Sequence, residues 1–139
     1  MVCNSLNFLW GSQQPDHFDT WYMPPPVANK LVVSSICLED VRPDAGPLVY
    51  YPGTHKIEPY RFSRGGIHAV SEEMPACRAY VEEQVRKIQT ERREFLGKAG
   101  DVFLWHGQLL HGGTGIRNLN YTRKTLLTHY WRARTTPEL

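Results

Sequence analysis

Residues 15–22 read Pro-Asp-His-Phe-Asp-Thr-Trp-Tyr, and they place an imidazole, His17, two positions before a carboxylate, Asp19. Aromatic and β-branched residues in this stretch favour a strand. Alternate side chains of a strand share a face, so His17 and Asp19 can bind one metal ion while Phe18 packs behind them. A His-x-Asp pair arises by chance in roughly one chain of this size in five, so the motif needs support from the rest of the sequence.

The second half of the chain supplies a further histidine and an arginine. Residues 100–107 are typical of a turn followed by an apolar strand, and His111 ends the short strand that follows, before a glycine-rich loop. Residues 122–132 are predicted to form a long strand with Arg123 and Thr125 on one face. The planar guanidinium of Arg123, twelve residues after His111, can hold a carboxylate in a bidentate pair.

Together these residues form the donor set of a mononuclear iron site. Two imidazoles and a carboxylate on one side of an octahedron leave three positions free, which suits non-haem Fe(II) that binds a bidentate oxo acid and O2. The sequence therefore predicts an Fe(II)- and 2-oxoglutarate-dependent oxygenase with His17, Asp19 and His111 as metal ligands. Arg123 is the predicted anchor of the co-substrate.

Three other basic residues are weighed against these roles. His106 competes with His111 as a ligand, but it ends the preceding predicted strand. Arg117 competes with Arg123 as the anchor, but it lies in a loop only six residues past His111. His129, on the same strand face as Arg123, is expected to pack or to form a hydrogen bond.

Several segments resemble the phytanoyl-CoA dioxygenase family, which includes the ectoine hydroxylases, and they occur in that family's order over nearly the whole chain. They are residues 17–22, Leu38-Glu-Asp-Val41 with 46–56, Gly100-Asp101, 109–113 and Thr122-Arg-Lys124. The resemblance implies a mainly β fold, the double-stranded β-helix of jelly-roll or cupin-like type, and the use of Fe(II), O2 and 2-oxoglutarate. It also implies that the three predicted ligands bind iron and that Arg123 binds the far carboxylate of 2-oxoglutarate.

The chain departs from the family pattern in two respects. Many members have a hydroxyl residue two positions after the distal histidine, where this chain has Gly113, so Thr114 or Thr125 is predicted to contact the co-substrate instead. Members are also usually longer. We therefore expect residues 1–139 to be a single oxygenase core domain that lacks the family's N-terminal region, which helps to close the substrate pocket.

Composition indicates one globular domain. The chain has 139 residues, of which 41% are hydrophobic and 22% charged, so it can bury a core. Its 16 basic and 14 acidic residues are spread along the sequence, which argues against a nucleic-acid surface. No apolar stretch approaches the roughly eighteen residues of a membrane span and the N-terminus lacks a signal-peptide pattern, so a cytoplasmic location without membrane contact is expected. Cys3, Cys37 and Cys77 are predicted to be reduced thiols, with Cys37 in the core.

The order of predicted elements fits a wound β-barrel with one insertion. Eight strands are predicted at residues 6–12, 15–22, 30–38, 48–51, 94–97, 102–106, 109–112 and 122–132, with 30–38 buried on both faces. The insertion, about 57–93, is predicted to contain an amphipathic helix that starts near Ser71. Its buried face would carry Cys77, Val81, Val85 and Ile88.

The substrate and the completeness of the enzyme depend on weaker signals. A carboxylate ligand at Asp19 favours hydroxylation of a small molecule over halogenation, in which that position holds a halide. Trp21, expected to point the same way as Asp19, and Tyr22 are candidate substrate contacts, with a core role as the alternative for each. A cupin-like metal-binding protein and a catalytically silent or incomplete fragment are the alternative functions. An exposed edge strand would favour self-association.

Overall fold

Seven strands and one α-helix make up the described part of the chain, which in this computed structural model is residues 1–27 and 29–132. The strands are β1 (Val2–Phe8), β2 (Leu31–Cys37), β3 (Leu48–Tyr50), β4 (Arg93–Phe95), β5 (Val102–His106), β6 (His111–Gly113) and β7 (Thr125–Trp131), and the helix is α1 (Met74–Ile88). Short 3₁₀ helices cover Asp19–Trp21, Thr54–Lys56 and Ser71–Glu73.

The strands form two antiparallel sheets. The larger has the order β1-β7-β2-β5 and the smaller the order β4-β3-β6. Leu31, Val33 and Trp105 of the larger sheet pack with Leu48 of the smaller sheet in one core cluster. This mainly β architecture with one inserted helix confirms the predicted double-stranded β-helix.

Strand β2 is almost completely buried on one face and unevenly buried on the other, where Ser34 is buried. Leu31, Val33 and Cys37 are almost completely buried, whereas Val32 is 45% exposed. The prediction that this strand is buried on both faces is therefore wrong. Buried and exposed residues alternate at Leu31, Val32 and Val33, but the sequence does not reveal it because the exposed residue is also hydrophobic.

The inserted helix α1 packs against a second core cluster. A single 3₁₀ turn at Ser71–Glu73 leads into it, and Pro75 stands in its first turn, where no backbone N–H partner is required. Cys77 and Val81 are buried against Phe18 and Trp21, as the helical spacing predicted. Ile88 is 45% exposed because the helix ends there, so its predicted burial is wrong.

Two predicted strand boundaries at the N-terminal side are corrected. Strand β1 ends at Phe8 and not at residue 12, since Gly11 lies so close to the backbone of Gly46 that the chain has left the larger sheet. Residues 15–22 are not a strand. His17 forms one isolated bridge, and the chain then turns into the 3₁₀ helix Asp19–Trp21.

The last strand is also shorter than predicted, because β7 begins at Thr125 and not at residue 122. The N–H of Arg123 donates to the carbonyl of Leu9, and the carbonyl of Lys124 accepts from Leu38, so these residues bond outside the regular ladder.

The three cysteines are free thiols, and Cys37 is 1% exposed, as predicted. Within residues 1–27 and 29–132, no helix is long and apolar enough to cross a membrane.

Candidate metal centre

The backbone brings two of the predicted ligands together from distant parts of the sequence. The N–H of His17 donates to the carbonyl of His111 at 2.8 Å, and the N–H of His111 donates to the carbonyl of His17 at 3.1 Å. Residues paired in this way on antiparallel segments send their side chains to the same face. The two imidazole rings accordingly lie with centroids 4.4 Å apart.

Both imidazoles are held in one tautomer by carbonyl groups of their own segments. The Nδ1 atom of His17 lies 2.8 Å from the carbonyl of Pro15, and Nδ1 of His111 lies 2.9 Å from the carbonyl of Leu109. A carbonyl can only accept, so Nδ1 is the protonated nitrogen in the neutral form of each ring, and Nε2 is the atom available to a metal ion. Metal-binding histidines are commonly oriented by such bonds.

Both Nε2 atoms face the carboxylate of Asp19. Its Oδ1 atom is 3.7 Å from Nε2 of His17 and 3.6 Å from Nε2 of His111. The three side chains are buried, and their ligand atoms all lie within 4.8 Å of one another. The structure thus gathers the predicted triad into one cluster, although the 3₁₀ turn and not a strand presents Asp19.

The protonation states of the cluster suit a cation. Burial opposes ionisation of Asp19, but contacts with His129 and His17 and the nearby His111 outweigh it and hold the pKa of this carboxyl well below its ordinary value. Burial is also the main cause that lowers the pKa of His111. An ionised carboxylate beside a neutral imidazole is the form in which these groups bind metal ions.

Two further side chains contact Asp19, and the sequence analysis assigned neither to the site. The indole Nε1–H of Trp105 donates to Oδ2 of Asp19 at 2.9 Å. Nε2 of His129 lies 3.7 Å from Oδ1. Alternation along the last strand had placed His129 on the face of Arg123, which was the available signal, whereas Trp105 could be recognised only as a core aromatic.

A glycine beside the cluster permits the close approach of the first segment. A Cβ atom at Gly112 would lie 2.5 Å from Oδ1 of Asp16 and 2.9 Å from the carbonyl oxygen of Gln14. No side chain fits in that space, so glycine after His111 allows residues 14–17 to lie directly against β6.

Arg123 lies in a narrow cavity beside the cluster. This cavity, about 20 Å³ in volume, is lined by Phe8, Ser12, Gln14, Ser35, Leu48, His111, Gly112, Arg123, Thr125 and Leu127. Arg123 is 6% exposed, and its Nε atom has no hydrogen-bond partner among the described residues. Burial lowers its pKa. A buried guanidinium whose Nε atom lacks a partner among the described residues, next to a donor cluster, is an arrangement that favours an anion.

The competing basic residues lie elsewhere. Arg117 is exposed, and its guanidinium donates to the carbonyl of Pro43 at 2.8 Å. Both ring nitrogens of His106 are engaged, since Nδ1 accepts from the N–H of Gln108 and Nε2 donates to the carbonyl of Asn29. Neither side chain is directed at the cluster.

Of the other predicted co-substrate and substrate contacts, some lie beside Arg123 or His17 and others do not. Thr125 is buried and lines the Arg123 cavity, whereas the hydroxyl of Thr114 donates to the carbonyl of Pro47 and Thr114 is not part of the lining. Tyr22 is 57% exposed, and its ring lies 5.7 Å from that of His17. Trp21 is 3% exposed, packs edge-on against Phe18 in the core and is part of the lining of a cavity of about 620 Å³.

Three solved structures are similar to this chain in fold. SnoK, a non-haem alpha-ketoglutarate-dependent carbocyclase from nogalamycin biosynthesis, is 18% identical with a TM-score of 0.68, covering 94% of this chain and 49% of that chain. AviO1 from Streptomyces viridochromogenes Tue57 is 21% identical with a TM-score of 0.64, covering 99% and 53%. EctD from S. alaskensis with bound Fe is 18% identical with a TM-score of 0.60, covering 94% and 44%. The chain spans about half the length of these proteins.

No curated protein sequence matches the chain significantly. The sequence model of the phytanoyl-CoA dioxygenases, in contrast, matches residues 9–125. That range is most of the chain, and it contains the whole donor cluster together with Arg123. The chain therefore belongs to the phytanoyl-CoA dioxygenase family.

Proposed function

We propose that this chain is an Fe(II)- and 2-oxoglutarate-dependent dioxygenase that hydroxylates a small-molecule substrate. His17, Asp19 and His111 hold the iron, and Arg123 binds the far carboxylate of 2-oxoglutarate. The observation that carries the proposal is the presence, in one buried site, of three convergent donor atoms and an arginine with an unpaired nitrogen. Family membership supports the same class of reaction.

The donor set fits iron better than a purely structural metal. Structural sites usually close the coordination sphere with four protein ligands, whereas two imidazoles and one carboxylate leave positions for exchangeable groups. A cupin-like metal-binding protein would also have no need for a buried cation beside the metal. Burial of Arg123 costs free energy that an entering carboxylate would offset, so the arginine favours an anionic co-substrate.

The cavity must widen to admit this co-substrate. Its volume of about 20 Å³ is close to that of a single water site, which is too small for a five-carbon diacid. The ring of Phe8 stands over the guanidinium of Arg123, with 5.9 Å between the guanidinium carbon and the ring centroid. Phe8 belongs to β1, which lies at the edge of the larger sheet and pairs with β7. We therefore expect β1 to be the wall that moves.

The side chains around the site then have separate tasks. Iron, O2 and 2-oxoglutarate, when bound, would supply the oxidant, with 2-oxoglutarate converted to succinate and CO2. Arg123 and the hydroxyl of Thr125 orient the co-substrate, while buried Leu48 and the partly buried Leu127 limit the access of water. Tyr22, exposed and adjacent to His17, is our candidate for contact with the substrate.

The outcome of the oxidation is a finer part of the proposal. Proteins of this fold include a carbocyclase and an epimerase, so one architecture supports several outcomes. Hydroxylation adds one oxygen atom to the substrate, ring closure removes two hydrogen atoms, and epimerisation leaves the composition unchanged. Mass spectrometry of the product therefore distinguishes the three.

The proposal is tested with the chain, Fe(II) and 2-oxoglutarate. Anaerobic mixing should give the weak visible charge-transfer band of the iron chelate, and admission of O2 should release succinate. His111→Ala should lose both signals because a ligand is removed. His106→Ala is the matched control and should keep both, since both nitrogens of that ring are engaged elsewhere.

An undiminished band in His111→Ala would contradict the assignment of the metal ligands. Iron binding without any succinate release would instead favour the catalytically silent alternative.

A further inference from the structure

One cross-strand row of the larger sheet faces the carboxylate of Asp19. His129 of β7 is paired with Val33 of β2, and Val33 is paired with Trp105 of β5. Residues opposite each other in antiparallel strands point to the same side of the sheet. All three are buried, with exposures of 4%, 0% and 4%. The row therefore forms a fixed surface inside the barrel.

The two polar members of this row contact different oxygens of the carboxylate. Trp105 donates its indole N–H to Oδ2 at 2.9 Å, and Nε2 of His129 lies 3.7 Å from Oδ1. The other ring nitrogen of His129 is buried without a hydrogen-bond partner in the part of the chain that the structure describes. Asp19 is thus the polar group that His129 faces. Val33 fills the space between the two with apolar atoms.

An aspartate carboxylate that is not held in this way can rotate, because its terminal torsion is broad and roughly two-fold. It can also bind a cation through one oxygen or through both. The bond from Trp105 occupies Oδ2 and leaves Oδ1 directed at the Nε2 atoms of His17 and His111. Loss of a side chain that hydrogen-bonds to a metal ligand commonly lowers metal affinity by about ten- to hundredfold.

We propose that Trp105 and His129 are positioning residues that fix the orientation of Asp19: Trp105 holds Oδ2 away from the metal, and His129 packs against Oδ1. This inference rests on the proposed iron site. It assigns the indole N–H of Trp105 a directed role that packing alone does not require, since a phenyl ring would fill much of the same core.

The chain offers a matched control for that N–H. Trp131 stands on β7 opposite Leu31, and its indole nitrogen is buried without a hydrogen-bond partner among the described residues. Trp131→Phe and Trp105→Phe therefore make the same chemical change in the same sheet. Only the second removes a bond to Asp19.

The experiment measures metal binding without turnover. Fe(II) affinity is determined anaerobically by competition with a chelator, and the visible spectrum of the Co(II)-substituted protein reports the ligand geometry. Trp105→Phe should weaken Fe(II) binding by roughly ten- to hundredfold and alter the Co(II) spectrum. Trp131→Phe should leave both nearly unchanged. His129→Leu, close in size to the imidazole, should weaken Fe(II) binding by a smaller factor.

Thermal unfolding of the metal-free variants is measured alongside, so that loss of affinity is compared between proteins of known stability. Should Trp105→Phe fail to fold, His129→Leu carries the test alone. Unchanged affinity and an unchanged Co(II) spectrum in Trp105→Phe or, failing that variant, in His129→Leu would overturn the proposal and leave the proposed function standing. A parent protein that binds Fe(II) and shows these variant effects, but never consumes 2-oxoglutarate, would refute the proposed function and support the positioning role.

Discussion

Replacing Arg123 is the sharpest test of how the co-substrate is held. The side chain is 6% exposed and its Nε atom has no hydrogen-bond partner among the described residues, so a dicarboxylate entering the cavity would form a charge-assisted pair with it. Loss of such a pair costs about 1.5–3 kcal/mol. This corresponds to a rise of roughly 10- to 150-fold in the dissociation constant of 2-oxoglutarate for Arg123→Ala. The dissociation constant for Arg123→Lys should lie between those of the parent and Arg123→Ala, because an ammonium binds as a point charge and not as a planar fork.

The assay is a titration of the anaerobic Fe(II) protein with 2-oxoglutarate, followed by the charge-transfer band. Arg117→Ala is the control, since Arg117 is exposed and bonded to the carbonyl of Pro43. Iron affinity is measured in each variant to establish that the metal site is intact. The reasoning is refuted if Arg117→Ala weakens 2-oxoglutarate while Arg123→Ala binds it as the parent does.

Three other outcomes are expected. Gly112→Ala should lower the free energy of unfolding in urea by about 1–3 kcal/mol, because the new Cβ would lie 2.5 Å from Asp16, whereas Gly115→Ala, with open space around it, should cost much less. Burial raises the pKa of Cys77 to about 11, so the thiol loses its proton at lower pH in the unfolded state than in the folded state. The free energy of unfolding should therefore fall as the pH rises from about 9 towards 11. Urea titrations should show a smaller fall for Cys77→Ala. Leu104 is 65% exposed on the outer face of the larger sheet, so sedimentation should detect concentration-dependent self-association that Leu104→Glu reduces.

Elements with a clear period were predicted well. Strand β5 has the predicted bounds, Val102–His106, because a glycine turn and a run of apolar and aromatic residues mark both ends. The helical spacing of Cys77 and Val81 likewise identified the inserted helix and its buried face. The donor residues were found by residue type and spacing, which do not depend on the exact local structure.

The segment around Asp19 could not be predicted, because tertiary contacts override its local preference. Its aromatic residues favour a strand, yet only His17 finds a strand-like partner, in His111. The N–H of Trp21 donates to the carbonyl of Phe18, and that of Tyr22 donates to Asp19, which closes a 3₁₀ turn. The three predicted ligands therefore converge, although not through the strand geometry that was argued for them.

For a different reason, the sequence could not predict that Trp105 and His129 contact Asp19. Alternation predicts which face of a strand a side chain occupies, and it placed His129 on the face of Thr125, where both residues are buried. Which group on the opposite segment meets that face depends on how the two sheets lie over one another. No local pattern encodes that relation.

The mutual backbone bonds of His17 and His111 have a consequence for biogenesis. The two residues are far apart in sequence, and joining them closes a long loop, which is a slow event for a β topology. An ion at this junction could be retained only by molecules that have completed the closure. At a free concentration one hundredfold above its dissociation constant, it would stabilise them by about 2.7 kcal/mol. Uptake of the ion would then distinguish molecules in which His17 and His111 have paired from molecules in which they have not.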